Sequence, residues 1–115
     1  MSKRETTVVG APLPRVDAHE KVLGTAMYAD DYQLPGMLHC ALVLSPHPHA
    51  EILAVDTTEA EAMDGVAAVY TGKDVPGQNQ IGCVFQDQPL FATDKVRFVG
   101  DRIAAVVGET RLQAR

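Results

Sequence analysis

The chain has 115 residues and a formal net charge of −5, and 46% of its residues are hydrophobic. This length predicts a single domain with a buried core, and the acidic balance argues against nucleic-acid binding, which needs clustered basic side chains. The two cysteines are widely spaced and suggest no disulfide framework. The first residues are too polar for a signal peptide, and no apolar run reaches the length of a membrane span, so we expect a cytoplasmic protein that binds no membrane.

The first part of the chain is predicted to be an arm followed by a helical turn. Two prolines disfavour regular structure near the start, so residues 1–16 are interpreted as an N-terminal arm and residues 17–115 as the domain. Asp17 is a candidate cap for a helical turn that Gly24 would end. A short strand is predicted over residues 25–29.

Residues 37–45 carry the clearest strand pattern in the sequence. In an extended chain these side chains alternate between two faces. One face consists of Leu38, Cys40, Leu42 and Leu44 and is entirely apolar, and most of the other face is apolar as well. This pattern is typical of strands that are covered on both sides, so it predicts an interior strand with Leu42 in the core and Cys40 as a small buried hydrophobe. Two prolines then break the strand, and extended structure is expected to resume over residues 49–55.

A short helix is predicted between two strands. Thr58 and Glu61 have the spacing of a capping box, and Asp56 is an alternative cap. Gly65 is expected to adopt a positive φ directly after the last helical residue. The β-branched run that follows predicts a strand over residues 66–71.

The remaining sequence combines a loop with a predicted hairpin. Polar and turn-forming residues predict a long loop over 73–92, with one short strand near 83–85. The segments 96–99 and 102–107 predict a hairpin about Gly100-Asp101.

Four segments resemble, in order, the opening domain of the large subunit of the molybdenum hydroxylases, the xanthine dehydrogenase and aldehyde oxidase family. The likeness runs over residues 9–112, and four matches in the right order are far more specific than any one of them. The segments are Gly10-Ala11-Pro12-Leu13-Pro14-Arg15-Val16-Asp17, Lys21-Val22-Leu23-Gly24-Thr25-Ala26-Met27-Tyr28-Ala29-Asp30-Asp31, Ser45-Pro46-His47-Pro48-His49-Ala50-Glu51-Ile52 and Asp94-Lys95-Val96-Arg97-Phe98-Val99-Gly100.

This resemblance implies an α+β fold, the α/β-hammerhead, with a small mixed sheet and one or two short helices. It implies a parent enzyme that oxidises xanthine, an aldehyde or a related carbon centre, with molybdopterin in its cytosine dinucleotide form and with iron–sulfur clusters and FAD on partner modules. The family's pterin-binding motifs and catalytic glutamate lie in later segments, so no catalytic, cofactor-binding or metal-binding residue is assigned in 1–115. We expect a scaffold and interface domain, truncated within a C-terminal helix that begins at Thr110.

A free-standing metal-binding or ligand-binding module is one alternative. His47 and His49 have the alternate spacing by which two residues on one strand face can share a metal ion, and His39 is close in sequence. The proline between the first two histidines distorts such a strand, and Cys40 and Cys83 match no zinc spacing. The simpler interpretation is a bent loop whose imidazoles bond to backbone groups or water.

A lysine-modified carrier is the second alternative. Lys95 precedes an apolar strand, as a carrier's modified lysine does at the tip of a hairpin, but its neighbours are unlike those of a carrier. Glu59, Glu61 and Asp64 form an acidic cluster, which helix capping and solvation explain better than acid–base catalysis.

Overall fold

The structure is a computed structural model that describes residues 9–115. The chain divides into two compact units, one that ends at Leu34 and one that runs from Pro35 to Arg115. Part of the predicted arm lies outside the described residues, so its boundary at residue 16 stays a prediction. Within the described range, no helix is long and apolar enough to cross a membrane.

The first unit begins with helix α1 (Ala18–Leu23), which ends at Gly24. The predicted end at Gly24 is confirmed, and Gly24 is left-handed, with a φ of 71°. Asp17 precedes the helix, but its side chain does not cap it. The carboxylate instead binds the Lys21 ammonium group and the Arg15 guanidinium, which lies 3.0 Å from Oδ2. The capping prediction is wrong because two nearby cations compete for the same oxygen atoms.

The strand predicted over residues 25–29 is not formed. The backbone folds back onto α1, where the Thr25 N–H donates to the Glu20 carbonyl at 2.9 Å. A 3-10 turn then occupies Ala29–Asp31. Local hydrogen bonds of this kind satisfy backbone groups that a strand would have to pair with a neighbouring strand.

The second unit combines one short helix with two small sheets. Its elements are β1 (His39–Leu44), β2 (Ala50–Glu51), α2 (Thr58–Glu61), β3 (Val66–Thr71), β4 (Lys95–Val96) and β5 (Arg102–Gly108). One sheet has the order β1–β5–β3, and β2 pairs with β4 in a two-stranded ribbon. The predicted α+β class is confirmed, but the strand pairings of the described residues are antiparallel, so the prediction of a mixed sheet is wrong.

Strand β5 lies at the centre of the larger sheet. Its residues Ala104 and Ala105 are buried, as expected for the strand that has a neighbouring strand on each side. Strand β1 forms where it was predicted, but it lies at an edge of the sheet, so the prediction of an interior strand is wrong. An apolar pattern on both faces indicates coverage above and below a strand, which does not fix the position of that strand within the sheet.

Helix α2 is capped differently from the prediction. Thr57 occupies the N-cap position, and its hydroxyl donates to Glu61 Oε1 at 2.6 Å, so Glu61 does not form the predicted box with Thr58. Asp56 is not the N-cap residue either: it precedes Thr57, and its Oδ1 accepts a bond from the Thr58 N–H at 3.0 Å. Gly65 has a φ of 79°, which confirms its positive φ, although α2 itself ends earlier, at Glu61.

Residues 73–92 form the long loop that was predicted, without the short strand expected near 83–85. The Asn79 side chain closes this loop. Its amide nitrogen donates to the Phe91 carbonyl at 2.7 Å, and its Oδ1 accepts from the Phe91 N–H at 2.9 Å. Because Phe91 is buried, this pair of hydrogen bonds fastens the end of the loop to the core.

The predicted hairpin is not formed. Strand β4 pairs with β2, whereas β5 pairs with β1 and β3, so the chain passes from one sheet to the other at Gly100-Asp101. The helix predicted from Thr110 is a single turn, in which the Ala114 N–H donates to the Thr110 carbonyl at 3.1 Å. Ala114 is buried beside Gly108, where an added Cβ would lie only 2.8 Å from the Ala114 nitrogen.

Candidate functional site

The motifs at 45–52 and 94–100 meet where the two sheets join. Ser45 is 3% exposed and Asp101 is 5% exposed. The Ser45 N–H donates to the Asp101 carbonyl at 2.8 Å, and the Gly100 N–H donates to the Ser45 carbonyl at 2.8 Å. These two backbone bonds tie the end of β1 to the start of β5.

The Asp101 carboxylate organises this junction from inside. Its Oδ2 accepts from the Arg97 N–H at 3.0 Å, and its Oδ1 accepts from the Arg102 N–H at 3.1 Å. The Ser45 hydroxyl closes the adjoining turn, since it donates to the His47 carbonyl at 3.1 Å and accepts from the His47 N–H at 3.0 Å. Polar side chains that are engaged by backbone groups in this way stabilise turns, so Ser45 and Asp101 stabilise this junction.

Sequence reasoning missed the anchoring roles of Asn79, Ser45 and Asp101. Asp101 follows a glycine and Asn79 lies in a Pro-Gly-Gln-Asn run, and both residue types are frequent in turns because their side chains bond to nearby backbone. That signal indicates a local turn. It does not reveal a partner as distant in sequence as Phe91, which pairs with Asn79.

The structure does not bring the histidines together as a metal site. His39 lies in β1, whereas His47 and His49 lie in the bend that follows Ser45. Among residues 9–115, no group of three or more His, Cys, Asp or Glu side chains is arranged to hold a metal ion. The donor set of this part of the chain therefore does not fit a metal centre.

The other singled-out residues are also dispersed. Cys40 and Cys83 are exposed free thiols, so the prediction that Cys40 is buried is wrong. Lys95 lies within β4, opposite Glu51 on β2, rather than at the tip of a hairpin. The acidic cluster of the α2 region is exposed, namely Glu59, Glu61 and Asp64.

One face of the three-stranded sheet is apolar and open to solvent. Leu42, Ala105 and Tyr70 lie side by side across β1, β5 and β3. The central alanine is buried, but Leu42 is 51% exposed and Tyr70 is 48% exposed, so the prediction that Leu42 is a core residue is wrong for this chain. We call this surface the open face; it also carries Cys40 and Leu44, which alternate with the other β1 side chains.

Two grooves lie on the surface of the second unit. The first, of about 470 Å³, is lined by apolar side chains that include Val69 and by an acidic rim. The second, of about 450 Å³, is polar and is lined by residues that include Gln78, Gln80, Lys95 and Arg97. Neither groove contains the histidines discussed above.

Two exposed carboxylates anchor turns near the first groove. The Thr71 N–H and the Thr71 hydroxyl donate to Asp74 Oδ2 at 2.7 and 2.8 Å. These two hydrogen bonds, with the larger effect from the N–H, hold the pKa of Asp74 below its usual value. Hydrogen bonds from the Thr58 side chain, which has the larger effect, and from the Thr58 N–H lower the pKa of Asp56 in the same way. Carboxylates stabilised as anions serve as hydrogen-bond acceptors and not as proton-transfer groups near neutral pH.

These features define a small α+β domain in which two antiparallel sheets meet at the junction formed by the buried residues Ser45 and Asp101. The family model for the α/β hammerhead domain of aldehyde oxidase and xanthine dehydrogenase matches residues 23–115. The chain therefore belongs to this hammerhead domain family, as the four sequence segments predicted.

Similar proteins are much longer than this chain. A probable xanthine dehydrogenase subunit of Bacillus subtilis (strain 168) is 52% identical over 96 residues, which cover 84% of this chain and 13% of that relative. The nicotinate dehydrogenase large molybdopterin subunit of Eubacterium barkeri is 42% identical over 107 residues, 93% of this chain and 25% of that relative. The solved aldehyde oxidoreductase from Desulfovibrio desulfuricans ATCC 27774 superposes with a TM-score of 0.83 at 36% identity, over 90% of this chain and 13% of that chain.

Proposed function

We propose that this chain is the hammerhead domain of a cytoplasmic, molybdenum-dependent oxidoreductase acting on xanthine, an aldehyde or a related carbon centre. Its own task is structural: it forms a scaffold and an interface for the rest of a molybdopterin-binding subunit and for iron–sulfur and flavin modules. Family membership supports the parent class. The match covers 13% of the Bacillus relative, so most of such an enzyme is supplied by other segments.

The exposed apolar side chains of the second unit carry this proposal. Leu42 and Leu44 of β1 are 51% and 50% exposed, although β1 belongs to the larger sheet. The buried hydrophobic residues of the described chain are mostly alanine, namely Ala92, Ala104, Ala105 and Ala114 beside Phe91 and Val96. A core this small leaves large apolar side chains uncovered, and permanent assemblies bury such side chains in hydrophobic interfaces.

The chemistry of the surface supports the same role. Leu42 and Tyr70 stand half-exposed on the open face, and contiguous apolar patches on a protein surface mark sites of association. The apolar alternation of β1 then has a physical reason, because protein outside this chain covers the face that this chain leaves open. An enclosed reaction centre is not needed for such a role.

The proposed parent carries molybdopterin, in its cytosine dinucleotide form, with iron–sulfur clusters and FAD on partner modules. The molybdenum cofactor supplies the redox chemistry when it is bound. The described residues do not fit such a group, because the histidines do not converge and the buried polar side chains of Ser45 and Asp101 are engaged by backbone partners. We assign no catalytic, cofactor-binding or metal-binding residue to this domain.

A domain exchange in the Bacillus relative tests this role. The matched 96-residue segment is replaced by this chain, and the product is compared with one from which the segment is deleted. We expect the exchange to retain molybdenum and dehydrogenase activity, and the deletion to lose both. An exchanged protein that folds but contains no molybdenum would contradict the proposed parent class.

Two variants of the exchange test the interface. Leu42→Asp places a charge on the open face and should reduce assembly, because an unpaired charge in an apolar interface is costly. Asp87→Asn, on the exposed long loop, is the control and should leave assembly unchanged. Circular dichroism of the 115-residue chain with Leu42→Asp shows whether the domain itself still folds. Unchanged assembly with both variants would refute the role of the open face.

A further inference from the structure

The segment between β2 and α2 forms one wall of the 470 Å³ groove. Residues 52–57 take part in no strand ladder. Leu53 in this wall is 94% exposed and Val55 is 41% exposed, while Val69 and Ile103 belong to the sheet side of the groove. A small ligand is usually enclosed over most of its surface. The wall that contains the almost fully exposed Leu53 does not enclose a small ligand. The groove is open, and an open groove suits a polypeptide segment.

The rim of this groove is acidic. Glu61, Asp74 and Asp94 line it beside Lys73, and all four side chains are exposed. The hydrogen bonds from Thr71 lower the pKa of Asp74 and favour its ionised form. The excess of carboxylates gives the groove a negative potential, which favours a partner of opposite charge.

We propose that this groove docks an amphipathic polypeptide segment, with leucine-like side chains on the apolar floor and lysine or arginine side chains against the acidic rim. The proposal rests on the interface role above and names the partner chemistry of one part of that interface. The rim would repel an acidic segment, and a wholly polar segment would leave Leu53 and Val69 in contact with water. A membrane surface with anionic headgroups would be repelled in the same way.

Two synthetic peptides test this inference on the 115-residue chain. Both have leucine at the same positions of a helical repeat; the remaining positions are lysine in one peptide and glutamate in the other. Titrations followed by amide chemical shifts locate binding and give its affinity at low and moderate salt. We expect the lysine peptide to bind, to change the amide chemical shifts of Val69 and Ile103, and to bind more weakly as the salt concentration rises. The glutamate peptide should not bind.

A pair of charge-matched variants separates the rim from the overall acidity. Glu61→Gln with Asp94→Asn removes two carboxylates from the rim, whereas Glu59→Gln with Asp87→Asn removes two that do not line this groove. Exposed charge pairs contribute little each, so the rim variant should bind the lysine peptide about three- to tenfold more weakly, and the control should change by less than about twofold.

Each contrary outcome overturns the groove assignment. The assignment fails if neither peptide binds or if both bind equally. It also fails if both double variants weaken binding equally, or if the chemical-shift changes are confined to the open face. An active domain exchange combined with any of these outcomes means that the interface role stands and the groove proposal fails alone. An inactive exchange that contains no molybdenum removes the proposed function instead.

Discussion

Asp101→Ala should be among the most damaging substitutions outside the apolar core. Asp101 is 5% exposed, and its carboxylate accepts bonds from the Arg97 and Arg102 N–H groups at 3.0 and 3.1 Å. Each donor left without a partner costs about 1–3 kcal/mol, with the low end for a group that water can reach. Arg97 is exposed and Arg102 is half-buried, so we expect a total loss of about 3 kcal/mol.

Urea unfolding followed by circular dichroism measures this loss. Asp101→Asn keeps one acceptor and replaces the other with a donor that faces an N–H, so it should cost about 1–2 kcal/mol. Asp87→Asn is the control, and its free energy of unfolding should change by less than about 0.5 kcal/mol. If Asp101→Ala and Asp101→Asn each lower the free energy of unfolding by less than about 0.5 kcal/mol, the limit set for the control, the carboxylate does not stabilise the junction. The asparagine variant keeps the test usable if Asp101→Ala does not fold.

Three further perturbations have defined outcomes. Asn79→Asp places a carboxylate against the Phe91 carbonyl and should cost about 2 kcal/mol, seen as faster proteolysis of the long loop than in the parent chain. Gly65→Val forces a β-branched residue into a φ of 79° and should lower the free energy of unfolding by about 1–3 kcal/mol in urea titrations. The pKa of Asp74 is lowered from 3.8, chiefly by the Thr71 N–H. The contribution of Asp74 to the free energy of unfolding is therefore complete above pH 3.8 and is lost as the pH falls through the lower folded-state pKa. Asp74→Asn should reduce this acid dependence, measured by urea titrations at several pH values.

Local backbone chemistry was readable from the sequence. Gly24 was predicted to end a helical turn and Gly65 to have a positive φ, and both predictions are confirmed, because a left-handed residue strongly favours glycine. The bounds of β3 (Val66–Thr71) match the prediction for the same reason, since a glycine and a β-branched run mark its start. These features depend on neighbours in sequence.

Features that depend on distant partners were not readable. The segment 96–99 suggested a hairpin with β5, but its first residue pairs with β2 instead, and nothing local selects between two available partners. Leu42 was predicted to be buried because its pattern indicates coverage, and the described chain leaves it 51% exposed. The candidate site behaved similarly: the segments around Ser45 and Asp101 matched a family, while their contact became visible only in the fold.

The reactivity of Cys40 tests the interface role most directly. The thiol is exposed on the open face, so in the 115-residue chain carrying Cys83→Ser it should react with a neutral alkylating reagent at the rate of an unhindered thiol. In the domain exchange, protein packed on this face should slow the labelling of Cys40 at least about tenfold, read from the mass of its own proteolytic peptide, because access controls such reactions. Equal labelling rates in the free chain and in the assembled enzyme would contradict the claim that the rest of the enzyme covers the open face.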